Sequence, residues 1–432
     1  MKIKSTDKYL NFVYKYFAVI IIPILVLLSL NKTSDTKVYN YHSPIYADGA
    51  GYYSYLISFF CADEIKNLPL DIDSKTGNAF RVNKIERVIE TKYTSGSAIL
   101  MAPFFLIGKS LNFIFNLQQP VFSNYFYFWI ILAACFYCGI ALYFINKIVF
   151  LLTENKSQAL IVSMLLLLAT NLIYYVINKP SYSHIYSFFL CACFVQLTID
   201  IYKKPNAKIM LLFFLVYGLL IICRPTNFLF IIFPMLYSSK SGVIQFFKEN
   251  KLTFFSGLIV FLLAVSPQLM YWYKISGHAL FYSYTNERFS NWQHPQILYF
   301  LFSTVNGWFT YTPFMVLSFI GIIVMILSKN YKGISILVLL MVAIYTFSSW
   351  WIPSYGCSYG MRVMIELYPI LIIPIAFLFK TLSLKNNRVL NFSIISFIAF
   401  CIYLNIDMIY YYDGCFYGGA WDWQAYLKLL EN

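Results

Sequence analysis

Charged side chains are scarce in this sequence. Only 12% of its 432 residues are Asp, Glu, Lys or Arg, against about 25% in a water-soluble domain, which excludes an ordinary soluble fold. Internal repeats and low-complexity tracts are missing, so there is no sign of the paired halves that many transporters show. There is no Gly-rich phosphate loop ending in Lys and Ser/Thr, no HExxH and no GxSxG elbow. P-loop chemistry, zinc proteolysis and serine-elbow hydrolysis therefore lack support. Histidine is rare, and His42, His184, His278 and His294 stand at no metal-ligand spacing. Cys135 with Cys138, and Cys191 with Cys193, fall inside apolar runs and read as small buried hydrophobes rather than zinc ligands. Cys61, Cys357 and Cys415 fall in connecting loops, where a disulfide can form but nothing in the sequence selects a pair.

What is abundant is apolar length. Hydrophobic residues make up 60% of the chain and aromatic ones 20%, and runs that approach the ~20 residues needed to cross hydrocarbon recur from end to end. Candidate spans lie near 13–30, 96–117, 121–145, 157–177, 184–202, 208–223, 226–238, 252–272, 311–328, 333–349, 363–380 and 389–409. The first follows Lys2, Lys4, Lys8 and Lys15 and has no small-residue cleavage site, so it reads as a retained span.

The formal charge of +14 is distributed as a topology signal. Basic residues gather in short connections: Lys147 and Lys156, Lys203 to Lys208, Lys240 to Lys251, Lys329 and Lys332, Lys380 to Arg388. Such loops mark the cytoplasmic side. Acids such as Asp35, Asp48, Asp71, Glu86, Glu90, Asp413 and Asp422 fall in the opposite set. Nucleic acid is not an expected partner. With the amino terminus inside and an acidic, Trp-rich tail outside, the number of crossings is odd, whereas twelve segments are present. One segment between 96 and 145 is expected to be short or re-entrant, since Lys109 and Pro120 interrupt that region. The expectation is an all-α polytopic membrane protein: one transmembrane domain over residues 1–432, about eleven helices, a long first extracytoplasmic loop at 31–95 carrying an interfacial helix near 50–61, and a short extracytoplasmic tail at 410–432.

The outer loops hold the unusual residues. "YHSPIYADGAGYYSYL" (41–56) carries one carboxylate, Asp48, among tyrosines and glycines just beyond the first span. Further on come "KYTSGSAILMAPFF", "NKPSYSH" (178–184), "CRPTN" (223–227) and "SSWWIPSYGCSYGMR" (348–362). Asp-Gly is also a common turn pair. Arg362 stands four residues before Glu366, at the spacing of a helical ion pair, and Arg224 could snorkel from a span end. Most tryptophans fit an interfacial belt, whereas the clustered Trp350 and Trp351 suit a cavity wall.

An amino-terminal span, a long outer loop opening with an acid in a tyrosine-rich stretch, and many following spans resemble the GT-C superfamily of integral-membrane glycosyltransferases. The likeness is to bacterial relatives of protein O-mannosyltransferases and aminoarabinose transferases. "YADGAGYY" matches the family's catalytic acid at Asp48, but Gly49 replaces the second acid that often follows, which leaves a divalent metal unsupported. The resemblance implies transfer of a sugar from a polyprenyl-phosphate donor to a glycan, lipid or protein acceptor of the cell envelope. It implies an inner-membrane enzyme, amino terminus cytoplasmic, active site extracytoplasmic, with no cofactor. On this basis Asp48 is expected as general base. Arg362, Arg224 and His184 are expected at the donor phosphate, and Tyr52, Tyr53, Trp350, Trp351 and Tyr355 around the substrate; Lys109, Glu287 and Arg288 are weaker candidates. The competing classes are a transporter or flippase of a lipid-linked sugar or polymer, and a non-enzymatic subunit of polymer export. Against transport, Asp48, Arg224 and Arg362 stand at span ends, whereas coupling charges lie within spans.

Overall fold

The computed structural model describes residues 2–83, 85, 88–237, 248–383, 388–412 and 421–430. Glu86, Lys240, Lys385, Asp413 and Cys415, used above for topology or pairing, lie outside the described residues, as does much of the 410–432 tail. The chain is a multi-pass helical membrane protein. Among the described residues, six helices are long and apolar enough to cross a membrane: Gly96–Ile114, Asn124–Thr153, Ser183–Lys203, Lys251–Ser276, Arg362–Ser383 and Arg388–Tyr411. Two bent pairs, Lys8–Lys15 with Phe17–Thr33 and Lys156–Leu168 with Leu172–Asn178, bring the number to eight if each counts as one span. Shorter apolar helices at Ala207–Cys223, Pro225–Tyr237, Pro313–Leu327 and Lys332–Ser348 complete the set. Every expected apolar run thus falls on a helix.

Burial orders these helices. Arg362–Ser383 is 83% buried over its apolar window, whereas Lys251–Ser276 and Arg388–Tyr411 are each only 17% buried. An apolar helix with so little protein around it must present its side chains to lipid. The thirty-residue Asn124–Thr153 helix packs against Phe17–Thr33, Gly96–Ile114 and Ser183–Lys203 and is central.

The first residue of Gly96–Ile114 packs on Cys223, where an added Cβ would stand 2.3 Å from the Cys223 nitrogen. The chain that follows it returns Val121 and Phe122 to Tyr53 and Phe80 of the 34–95 segment. Lys109, near its far end, donates to the Phe60 carbonyl of that same segment. Lys109 thus ties this helix to the 34–95 segment, and the helix itself is long and apolar enough to cross a membrane.

The 34–95 segment folds on that end. It contains a helix at Asp48–Phe60, a 3₁₀ turn at Ala62–Asn67, a short helix at Ile72–Lys75 and one antiparallel hairpin, Phe80–Asn83 with Val88–Thr91. The hairpin is a small departure from an all-α fold. It pairs Arg81 with Glu90 and Phe80 with Thr91, and it is pinned where the Thr91 amide donates to the Tyr271 hydroxyl at 2.9 Å. The residues immediately after it, Lys92 and Tyr93, are carried to the bundle end as a result.

Candidate functional site

A cavity of about 250 Å³ opens at this end of the bundle, and Asp48, Arg224 and Arg362 line it together. Each owes its position to local backbone chemistry. Asp48 begins its helix, where a carboxylate is favoured by the positive end of the helix dipole. Ala47 before it holds φ +48°, a conformation side-chain-bearing residues rarely adopt, and is held there by its amide donating to the Thr76 carbonyl at 3.0 Å. Arg224 precedes Pro225, whose ring forces the preceding residue out of helical geometry. Arg224 is extended at φ −150°, ψ 121°, so the helix stops at Cys223 and the arginine turns into the cavity.

Arg362 opens a 3₁₀ turn, Arg362–Leu367. The Arg362–Glu366 helical pair, the alternative to a phosphate role for Arg362, does not form. At three residues per turn, positions four apart diverge by about 120° instead of stacking as in an α-helix. Arg362 Nη1 instead meets Asp48 Oδ2 at 2.9 Å, and Glu366 Oε1 meets Arg224 Nε at 3.1 Å and His184 Nδ1 at 2.9 Å.

The Tyr93 hydroxyl donates to Asp48 Oδ1 at 2.6 Å. Gly51 makes this contact possible, because a Cβ there would fall 2.1 Å from the Tyr93 ring. Burial by itself raises the Asp48 carboxyl, but Arg362 and the Tyr93 hydroxyl outweigh it and hold Asp48 below the usual carboxylate range. Arg362 also lies over the Tyr182 ring, 5.6 Å from its centroid. On the other side, Ser183 Oγ donates to the Tyr52 hydroxyl at 2.9 Å and accepts from Arg224 Nη1 at 3.4 Å.

The expected aromatic residues divide. Tyr52, Trp350 and Tyr355 line the cavity, with the Trp350 and Tyr355 rings nearly parallel at 8°. Tyr53 does not line it. It follows Tyr52 by one helical step of about 100°, and its hydroxyl donates to the Val121 carbonyl at 2.6 Å in the core. Trp351 is 43% exposed and lies off the cavity, joined to the rest through its backbone amide and the Arg288 carbonyl. His184 is buried behind Arg224 and does not line the cavity, which corrects its expected place at a donor phosphate. Lys109 is bound at Phe60, the far end of the Asp48 helix.

Two functional groups escaped sequence reasoning. Lys92 lines the cavity and pairs with Glu287 at 2.5 Å, and Tyr93 reaches Asp48. "KYTSG" carries the residue types, but only the hairpin brings them home. Glu287, a weak candidate in the sequence, is part of the wall, whereas Arg288 does not line it and its carbonyl accepts from the Trp351 amide. The described residues include no group of three His, Cys, Asp or Glu side chains able to hold a metal ion. Cys357 is disulfide-bonded, and Cys61 is a free, buried thiol.

The arrangement offers an ionised carboxylate, two guanidinium groups within one pocket, and flat aromatic faces. No protein-family model matches this chain, and no curated protein sequence matches it.

Proposed function

We propose that the protein is an integral-membrane glycosyltransferase that moves a sugar from a polyprenyl-phosphate donor to a hydroxyl acceptor in the cell envelope. The observation that carries this reading is the single cavity in which Asp48 stands beside Arg362 and Arg224 at the end of an apolar bundle. A lipid-anchored phosphate is delivered at the depth of such a cavity, and two guanidinium groups suit it because Arg binds phosphate oxygens bidentately. The acceptor oxygen attacks C1 of the sugar from the face opposite the phosphate. Its proton passes to Asp48, the C1–O bond to phosphate breaks, and the electron pair leaves on the lipid phosphate. Asp48 thus acts as general base in an inverting transfer, and the fixed cations stabilise the charge that grows on the leaving group. Tyr52, Trp350 and Tyr355 supply ring faces for the sugar.

The Lys-rich connections support an orientation with the amino terminus in the cytoplasm and the cavity on the extracytoplasmic face of the inner membrane. That orientation needs an odd number of crossings, about eleven. The test is incubation of the purified protein with defined polyprenyl-phosphate sugars and envelope acceptors, reading release of free lipid phosphate. Donor-dependent release abolished in Asp48→Asn is the expected result. Movement of the lipid-linked sugar across vesicles with no lipid phosphate released would replace this reading by transport.

A further inference from the structure

Glu366 stands outside the cavity lining and meets it at Arg224. Three cations line the cavity, Lys92, Arg224 and Arg362, against two acids, Asp48 and Glu287, for a balance of 3 − 2 = +1. Glu366, 1% exposed and outside the lining, is the acid that stands behind Arg224. The pairing is one to one: Lys92 with Glu287, Arg362 with Asp48, and Arg224 with Glu366 at 3.1 Å. His184 holds the same Glu366 oxygen at 2.9 Å, while the other oxygen, Oε2, is buried with no hydrogen-bond partner. An unsatisfied buried carboxylate oxygen is costly, and packing alone gives no reason to keep it.

We propose that Glu366 is a positioning residue that aims Arg224 into the cavity and damps its charge, so that the lipid phosphate formed by the reaction is released. The proposal rests on the phosphate site described under the proposed function. A sugar phosphodiester carries about one negative charge, whereas the lipid phosphate monoester left behind carries about −1.5 to −2 at neutral pH. When C1 leaves the phosphate oxygen and the acceptor proton lands on Asp48, Arg362 loses its counter-charge. The cavity then becomes one unit more positive just as the product becomes more negative. An undamped Arg224 would add a second unmatched cation and hold the product tightly. Glu366 lies too deep to receive that proton directly and keeps Arg224 matched through the step. The 3₁₀ turn makes this possible, since it sends Arg362 to Asp48 and Glu366, four residues later, behind Arg224.

The experiment measures binding of farnesyl phosphate, a monoester, and its methyl diester to the purified full chain. Wild type should prefer the monoester by no more than about threefold. Glu366→Gln keeps the shape and removes the charge. It should bind the monoester about tenfold tighter, the order expected for the loss of one buried counter-charge, with a smaller gain for the diester. In turnover its KM and kcat should fall together, the pattern of an overheld ligand and not of a damaged fold. Adding Arg224→Gln should abolish the gain. Unchanged or weaker monoester binding by folded Glu366→Gln overturns the proposal. If that variant does not fold, wild type decides alone, and a monoester preference above threefold overturns it. Wild type that binds neither lipid would instead remove the phosphate site itself, a failure distinct from that of the Glu366 role.

Discussion

At the scale of the residue, the site is a matter of which oxygen meets which nitrogen. Asp48 has both carboxylate oxygens engaged, one by Tyr93 and one by Arg362, and is 25% exposed, so an acceptor can reach it from the cavity. Asp48→Asn preserves size, and its amide oxygen can accept one of the two bonds, but its NH2 cannot accept the other and the basic lone pair is lost. Transfer should fall about 10²–10⁴-fold while donor binding stays within a few-fold of wild type; activity that survives the change would remove Asp48 from the base role. Arg362 sets the acidity of that base. A carboxyl held below its usual range is ionised, and its pairing stabilises the fold, at every pH above that range; both are lost only as pH falls through the lowered value. Arg362→Gln removes the largest lowering influence and leaves burial to push upward. The acid limb of kcat/KM should therefore move to higher pH. Arg362→Lys should restore the limb toward wild type and recover donor affinity only in part, because the bidentate fork is gone. A limb that stays put in Arg362→Gln would separate Asp48 from the pH dependence.

At the scale of the element, the decisive features are places where regular structure stops. The chain is helical on both sides of Arg224, Ala207–Cys223 before it and Pro225–Tyr237 after it, and Pro225 is what interrupts them. Pro225→Ala permits Arg224 to continue the helix, which swings its side chain away from Glu366 and the cavity. Donor KM should rise at least several-fold with the protein still folded; an unchanged KM would mean that packing, not proline, holds Arg224. The break at Arg362 is of the same kind. "SSWWIPSYGCSYGMR" bends through positive φ at Tyr355, Gly356 and Gly360, and Gly360 sits so close to Tyr311 that a Cβ would come within 2.8 Å. These breaks were legible as Pro and Gly in the sequence. The 3₁₀ geometry after Arg362 was not, and so the spacing left a helical pair with Glu366 open as the alternative to a phosphate role.

At the scale of the molecule, lipid and charge set the arrangement. The two least buried long helices face outward, and the basic residues gather in short connections. With single cysteines introduced at Asp73 and Lys204, a membrane-impermeant maleimide added to intact cells should label the first and spare the second; the reverse would invert the molecule and place the cavity in the cytoplasm. The sequence by itself determined that the chain is a helical membrane protein, where its apolar helices run, and that Asp48, Arg224 and Arg362 stand at helix ends. These follow from local composition, from charge in short loops and from the stiffness of proline. Only the tertiary structure decided who partners whom. The hairpin register carries Lys92 and Tyr93 across the fold, and one helical step separates Tyr52 in the cavity from Tyr53 in the core. The long return of the chain also puts His184 behind Arg224 instead of before it. Contacts between residues tens to hundreds of positions apart depend on the packing of whole helices, which no local pattern of side chains encodes.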